Sequence, residues 1–173
     1  MTINSILILV LAVFVVVVLL RSIRVVPAEH AAIIERLGKY QRTAPAGLVF
    51  VIPAIDRVRT PLVGLAEQVL QGERSLSTAD SHVVSVPTTI HLRVVNPQAA
   101  TYQVADYRAA VDLLATTTLR NVVSELNLDE LLGSRGQLTR QLLSALSAVE
   151  AWGLRVERVE IGDFARPRTG PVE

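Results

Sequence analysis

The sequence contains no cysteine. Disulfides, thiolate nucleophiles, Cys-ligated zinc and S-acylation are therefore excluded, and redox chemistry says nothing about the compartment. It also lacks an excess of either charge: seventeen basic and sixteen acidic residues among 173 leave a formal charge of +1. Binding to a phosphate backbone wants a concentrated basic surface, so nucleic acid is excluded as the main partner. The short signatures of catalysis are missing too. There is no Gly-x-Ser-x-Gly, no Walker A loop and no Gly-x-Gly-x-x-Gly. Nor is there an internal repeat or a low-complexity tract.

What the chain does have is an apolar N-terminus. Ile6 to Leu20 is unbroken by any polar side chain, and Ile3 extends it past Asn4 and Ser5. A bilayer core of ~30 Å needs roughly 20 helical residues, with a range of about 17 to 25. Ile6, Leu7, Leu9, Leu11, Phe14, Val17 and Leu20 are the expected lipid-facing anchor, over residues 1–24. The valines do not oppose a helix there, because lipid offers the backbone no partner but itself. Arg21 and Arg24 follow the run, and no basic side chain precedes it. The positive-inside bias then predicts a single pass with the N-terminus outside and the rest on the cytoplasmic face of the cell membrane. Two rivals fit less well. A cleaved signal peptide wants a basic leader, and although Val26-Pro27-Ala28 fits a cleavage site loosely, two arginines separate it from the run. A buried core helix would need a polar face.

Pro27 begins the folded part, which is long enough to bury a real core. Short apolar strands are predicted at His30–Leu37, with Gly38 as terminator, and at Leu48–Ile52, separated by a turn over Arg42–Gly47. A more polar strand is predicted at Asp56–Thr60. From Val83 to Val95, Val84, Val86, Thr88, Ile90, Leu92 and Val94 alternate with polar residues, the pattern of a half-buried antiparallel strand. Pro87 lies on the polar face and suggests an edge or a bulge. Spacings of three and four residues then predict helices over Tyr107–Leu126, capped by Asp106, and Arg135–Trp152, stopped by Gly153. A short helix starts at Asn127 between them. Leu154, Val156, Val159 and Ile161 form a last strand whose phase slips near Glu157–Arg158, a predicted bulge. Segregated strands and helices make the fold class α+β, one domain over 25–165 behind the anchor, with 166–173 as a disordered tail.

Candidate chemistry is sparse. His30, His82 and His91 form no pair at metal-ligand spacing. Asp80, Ser81 and His82 contain the residue types of a catalytic triad, but neighbours on a strand point to opposite faces, so they read as a polar turn entering a strand. No catalytic, cofactor-binding or metal-ligating residue is assigned. Leu48, Phe50 and Ile52 have two readings, an interior strand or a contact with the membrane surface. Arg155, Glu157, Arg158 and Glu160 likewise read either as a solvated strand face or as a charged seam between neighbouring copies.

Five stretches together resemble one family. They are Val26-Pro27 to Gly38, with Ile33-Ile34-Glu35-Arg36-Leu37-Gly38 at its centre; Ala46-Gly47-Leu48-Val49-Phe50-Val51-Ile52-Pro53; Ser77-Thr78-Ala79-Asp80-Ser81; Leu114-Ala115-Thr116-Thr117-Thr118-Leu119-Arg120-Asn121-Val122; and Trp152-Gly153-Leu154-Arg155-Val156-Glu157-Arg158-Val159-Glu160-Ile161. In this order the chain resembles the stomatin/prohibitin/flotillin (SPFH, or band 7) superfamily, nearest its stomatin-like members. The resemblance implies a ring- or cage-forming membrane scaffold that organises microdomains and modulates partner channels, transporters or membrane proteases. It also implies an NfeD-like membrane protein among the partners of bacterial members, and neither enzyme activity nor cofactors. An adaptor subunit of a membrane protease complex is the alternative. Two departures stand out. Pro45-Ala46-Gly47 replaces the usual Gly-Pro-Gly, and the sequence ends at Glu173 where stomatin-like chains run on into a long Ala/Glu-rich coiled-coil helix, which this sequence is expected to lack.

Overall fold

The structure is a computed structural model that describes residues 3–53 and 55–164, with side chains apart from those of residues 3–7 and 14. The expected tail, 166–173, and the anchor side chains Ile6, Leu7 and Phe14 lie outside the described set. The chain divides into two compact units, Met1–Ala66 and Glu67–Glu173.

The first unit opens with helix α1, Ile3–Ser22, and passes directly into strand β1, Ile23–Val26. Strands β2 (His30–Arg36), β3 (Lys39–Ala44), β4 (Gly47–Phe50), β5 (Asp56–Val58) and β6 (Val63–Gly64) follow. β1 pairs antiparallel with β4 as a two-stranded ribbon, while β2 pairs with β3, β5 and β6. Period two places Ala32, Ile34, Val49 and Val51 inward, where they form a core with Val26 and Ala44. The expected turn at Arg42–Gly47 is shorter than its sequence suggested, because Arg42 to Ala44 belong to β3 and pair with Ala32 to Ile34. Only Leu37-Gly38 connects β2 to β3, both at positive φ (51° and 80°), as the tightest hairpins require. Counting the residues whose side chains are described, no helix is long and apolar enough to cross a membrane.

The second unit contains β7 (Gln68–Ser77), β8 (Val83–Val94), helices α2 (Pro97–Tyr102), α3 (Tyr107–Ser124), α4 (Leu128–Gly133) and α5 (Arg135–Leu146), a 3-10 helix (Ser147–Trp152) and β9 (Leu154–Ile161). The sheet is antiparallel in the order β7-β8-β9. β8 is therefore central over Thr88–Leu92, while Val83–Pro87 pair with β7 alone, so Pro87 marks a local edge and not a bulge. Its register with β7 is continuous, and pairing with β9 begins one residue later, at Thr88, so the missing amide hydrogen falls beyond that ladder. The bulge lies opposite His91 and Leu92, which pair with Arg158 and Val156 and leave Glu157 as the extra residue. α3 packs on β7 and α5, and α5 on β9. Val111, Ala115, Leu119 and Val123 of α3 and Leu138, Leu142 and Leu146 of α5 are buried, as are Val84, Val86, Ile90, Leu92 and Val94 of β8. Full burial of each such Val, Ile or Leu side chain contributes about 1.5–3 kcal/mol. Asp106 caps α3 as its sequence predicts, accepting from the backbone N–H groups of Arg108 (3.0 Å) and Ala109 (3.1 Å).

Candidate functional site

Asp80, Ser81 and His82 occupy the β7–β8 turn, so the opposite-face argument does not hold for them. His82 Nδ1 lies 3.0 Å from Asp80 Oδ2. The carboxylate is nevertheless committed to the loop. The Thr78 hydroxyl donates to it, as does the backbone N–H of Leu128 at the start of α4 (3.3 Å). The Thr78 hydroxyl, more than any other group, holds the acid at a pKa of about 2. A carboxylate so well solvated by its own loop is a poor proton acceptor near neutrality. The arrangement is a clasp that ties the turn to α4. Among the described residues no cluster of three or more His, Asp or Glu could hold a metal ion.

The seam residues lie on the exposed side of β9. Arg158 Nε is 3.0 Å from Glu160 Oε1, and Arg93 Nε is 3.4 Å from Glu157 Oε1, in both cases with exposed side chains. Pairs of that kind contribute about 0–1 kcal/mol. Arg155 lies opposite Arg93 and takes part in none of the ion pairs among the described residues.

The most unusual surface belongs to the first unit. Alternation on β4 sends Val49 inward, with Val51 beyond the strand end, and leaves Leu48, Phe50 and Ile52 outward at 79%, 57% and 39% exposure. The interior reading therefore holds for Val49 and Val51 and fails for the other three. The structure adds two residues that the apolar pattern did not single out. Ile23 lies directly across from Phe50, and Val25 across from Leu48. Opposite residues of an antiparallel pair share a face, and both Ile23 and Val25 are exposed. The signal for them was their position: they continue the apolar run beyond Arg21, which is exposed at the end of α1, and flank Arg24, which is exposed within β1. Leu37 and Ile55 are exposed as well, joined by a bond from the Leu37 N–H to the Ile55 carbonyl (3.2 Å).

Two ion pairs brace the neighbouring strands. Arg36 Nε donates to Asp56 Oδ1 at 2.7 Å, and that bond is the main reason the Asp56 pKa lies below the usual carboxylate value. Arg59 Nη1 donates to Glu35 Oε1 at 3.0 Å. Arg42 makes a different contact, donating from Nη2 to the carbonyl oxygen of Phe50 at 2.7 Å.

Comparison with known proteins agrees with this architecture. The SPFH domain / Band 7 family pattern matches residues 24–169. An uncharacterised protein of Mycobacterium tuberculosis is 41% identical over 160 residues, which is 91% of this chain and 42% of that protein. One from Methanothermobacter thermautotrophicus is 40% identical over 149 residues (85% and 46%). Human mitochondrial stomatin-like protein 2 is 35% identical over 144 residues (82% and 40%). The chain thus spans less than half the length of the curated relatives it matches. With an α+β fold of antiparallel sheets beneath that match, the chain belongs to the SPFH domain / Band 7 family, as a stomatin-like member.

Proposed function

We propose that the chain is a membrane-tethered scaffold. In this reading α1 crosses the bilayer once, with the N-terminus outside, and holds the folded units at the cytoplasmic face. What carries the reading is the junction of α1 with the first unit. A helix of 20 residues rises about 30 Å, the thickness of a bilayer core. It then enters a folded strand with no linker, beside an outward apolar surface that includes Leu48, Phe50 and Ile52. Confinement to a plane raises the effective concentration of neighbours, so weak lateral contacts suffice to build an array. The β9 charges at Arg155, Glu157, Arg158 and Glu160 serve as the side-to-side seam, and partner membrane proteins, such as a protease or an NfeD-like protein, are held within the array. The chain performs no catalysis of its own.

The test is to express the full chain, wash the membranes in alkaline carbonate, and crosslink what remains. Retention in the pellet with a ladder above dimer is expected. A protein that washes off, or one that stays strictly monomeric at high membrane density, would overturn the scaffold.

A further inference from the structure

Glu67 and His91 meet at the start of the second unit's sheet. His91 Nδ1 lies 2.7 Å from Glu67 Oε1, with the imidazole 15% and the carboxylate 43% exposed. Val69 of β7 is directly opposite His91, so period two puts Glu67, just before the strand, on the same face. Gln68, between them, lies opposite the buried Leu92. Its side-chain oxygen accepts from the Tyr107 hydroxyl at 2.9 Å and from Arg108 Nη2 at 2.8 Å, at the start of α3. Residue 67 is thus held on one face of the sheet and residue 68 on the other, both by side chains of the second unit.

These fastenings fall where the chain leaves the first unit, which ends at Ala66. Leu65 donates its backbone N–H to the Glu29 carbonyl at 2.7 Å, inside the first unit. Ala66 therefore separates an anchor in the first unit from the Glu67 contact in the second. Of the two fastenings, only that at Glu67 contains an imidazole, the side chain whose ordinary charge change falls between about pH 5 and pH 8. The other charges on His91's face come from the neighbouring strands. On β9, Arg158 lies directly opposite, with its Nε 3.0 Å from Glu160 Oε1. On β8, Arg93 follows two residues on, 3.4 Å from Glu157 Oε1, and Arg155 lies opposite it. On β7, Glu73 accepts from the Ser85 hydroxyl. The helices pack on the other face, where Ile90 and Leu92 are buried. Glu157, Glu160 and Glu73 thus have partners of their own, and Glu67 is the acid that a protonated His91 gains.

We propose that Glu67 and His91 form a proton-controlled clasp on the joint between the two units. With His91 charged, the bond is charge-assisted and roughly twice as strong as a neutral one, and the joint is confined to Ala66. With His91 neutral, Glu67 releases more readily and the joint extends as far as Gln68, which its own bonds keep in place. Fixing or freeing the backbone of a single residue is a substantial entropic change, so one proton sets how freely the units move. The clasp does not depend on the tether reading. It gives the chain a response to pH, whatever holds α1.

The absence of cysteine makes the test direct. The full chain carries nitroxides at Lys39→Cys in the first unit and Asn121→Cys in the second, both exposed positions. It is held in detergent and diluted with excess unlabelled chain, so that distances within one molecule dominate. Pulsed dipolar spectroscopy reads the spread of distances between the labels at about pH 5.5 and about pH 8, on either side of the imidazole range. A narrow distribution is expected at the lower pH, with a broad component that grows about fivefold at the higher one as the charge-assisted bond becomes a neutral one. His91→Gln and Glu67→Gln should each give the broad component at both values. The double variant His30→Gln/His82→Gln retains His91 as its sole histidine and should respond like the parent, which identifies the residue without disturbing the clasp. A parent whose distribution ignores pH, a response that survives His91→Gln or Glu67→Gln, or one lost with His30 and His82, overturns the clasp.

Discussion

The guanidinium of Arg74 on β7 donates to the carboxylate of Asp112 on α3, and to the Thr116 hydroxyl one turn later at 2.7 Å. The arginine side chain is 8% exposed and the aspartate 58%, so the cation is the buried partner. Gly72 provides the space: a Cβ there would lie 3.0–3.1 Å from the guanidinium. Removing the acid and removing the base therefore have unequal effects. Asp112→Ala strands a buried charge and should cost about 1–3 kcal/mol. Arg74→Met removes charge and need together and should cost less. Urea denaturation of the two variants measures the difference, and a larger loss for Arg74→Met would refute the asymmetry.

Acid should loosen the β7–β8 turn through Asp80. Its pKa is about 2 in the fold, against about 3.9 in an unfolded chain. A carboxyl group with a lowered folded value contributes stability above the unfolded value and loses it as pH falls through the folded one. The thermal midpoint should thus drop between about pH 4 and pH 2 more steeply in the parent than in Asp80→Asn. Thr78→Val, which removes the main stabilising donor, should also flatten that limb. Parallel curves for parent and Asp80→Asn would rule the clasp out as a source of acid sensitivity.

Leu37 is in the left-handed region with its side chain in solvent, at 81% exposure. A leucine there is strained, and no burial offsets the strain. Asparagine tolerates the conformation and is favoured in two-residue hairpin turns. Leu37→Asn should therefore stabilise the protein by about 1 kcal/mol, read as a higher denaturant midpoint at constant slope. A lower midpoint would show that the leucine is held by packing after all.

Two glycines at similar φ should respond differently to alanine. Gly38, at 80°, has open space where a Cβ would go. Gly153, at 74°, would place a Cβ 2.4 Å from the Asn96 carbonyl oxygen, while its own carbonyl accepts from Val95 and Asn96. Gly38→Ala should cost about 1 kcal/mol, the backbone strain alone. Gly153→Ala should cost clearly more, because the 3-10 helix and the end of β8 must separate. Equal losses in thermal unfolding would contradict this.

The sequence was most legible where one face is wet and the other dry. β8 and α3 announce themselves because Val84 to Val94 alternate by two and Val111 to Val123 step by four, and each element buries that set. β7 was not legible. Its inner positions include Gly72 and Arg74, so the apolar alternation is broken where α3 supplies polar partners. The ribbon was half legible for the opposite reason. Apolar residues on both faces of β4 look like a buried strand, and nothing local reveals that Ile23 and Val25 complete the exposed side, since they meet Phe50 and Leu48 only through pairing across more than twenty residues. Polarity likewise failed to mark the division at Ala66, where no Gly-, Ser- or Pro-rich linker intervenes. In the Asp80 turn, positive φ at Ser81 folds neighbours together that strand geometry would have kept apart.

Ser22 closes α1 by donating its hydroxyl to the Val18 carbonyl (2.7 Å), and its own carbonyl accepts the N–H of Val51 (2.7 Å) just past β4. Such an elbow has no slack. A rotation or tilt imposed on the helix axis reaches both strands of the ribbon as torque instead of being absorbed by a flexible joint, so α1 and the ribbon turn as one lever.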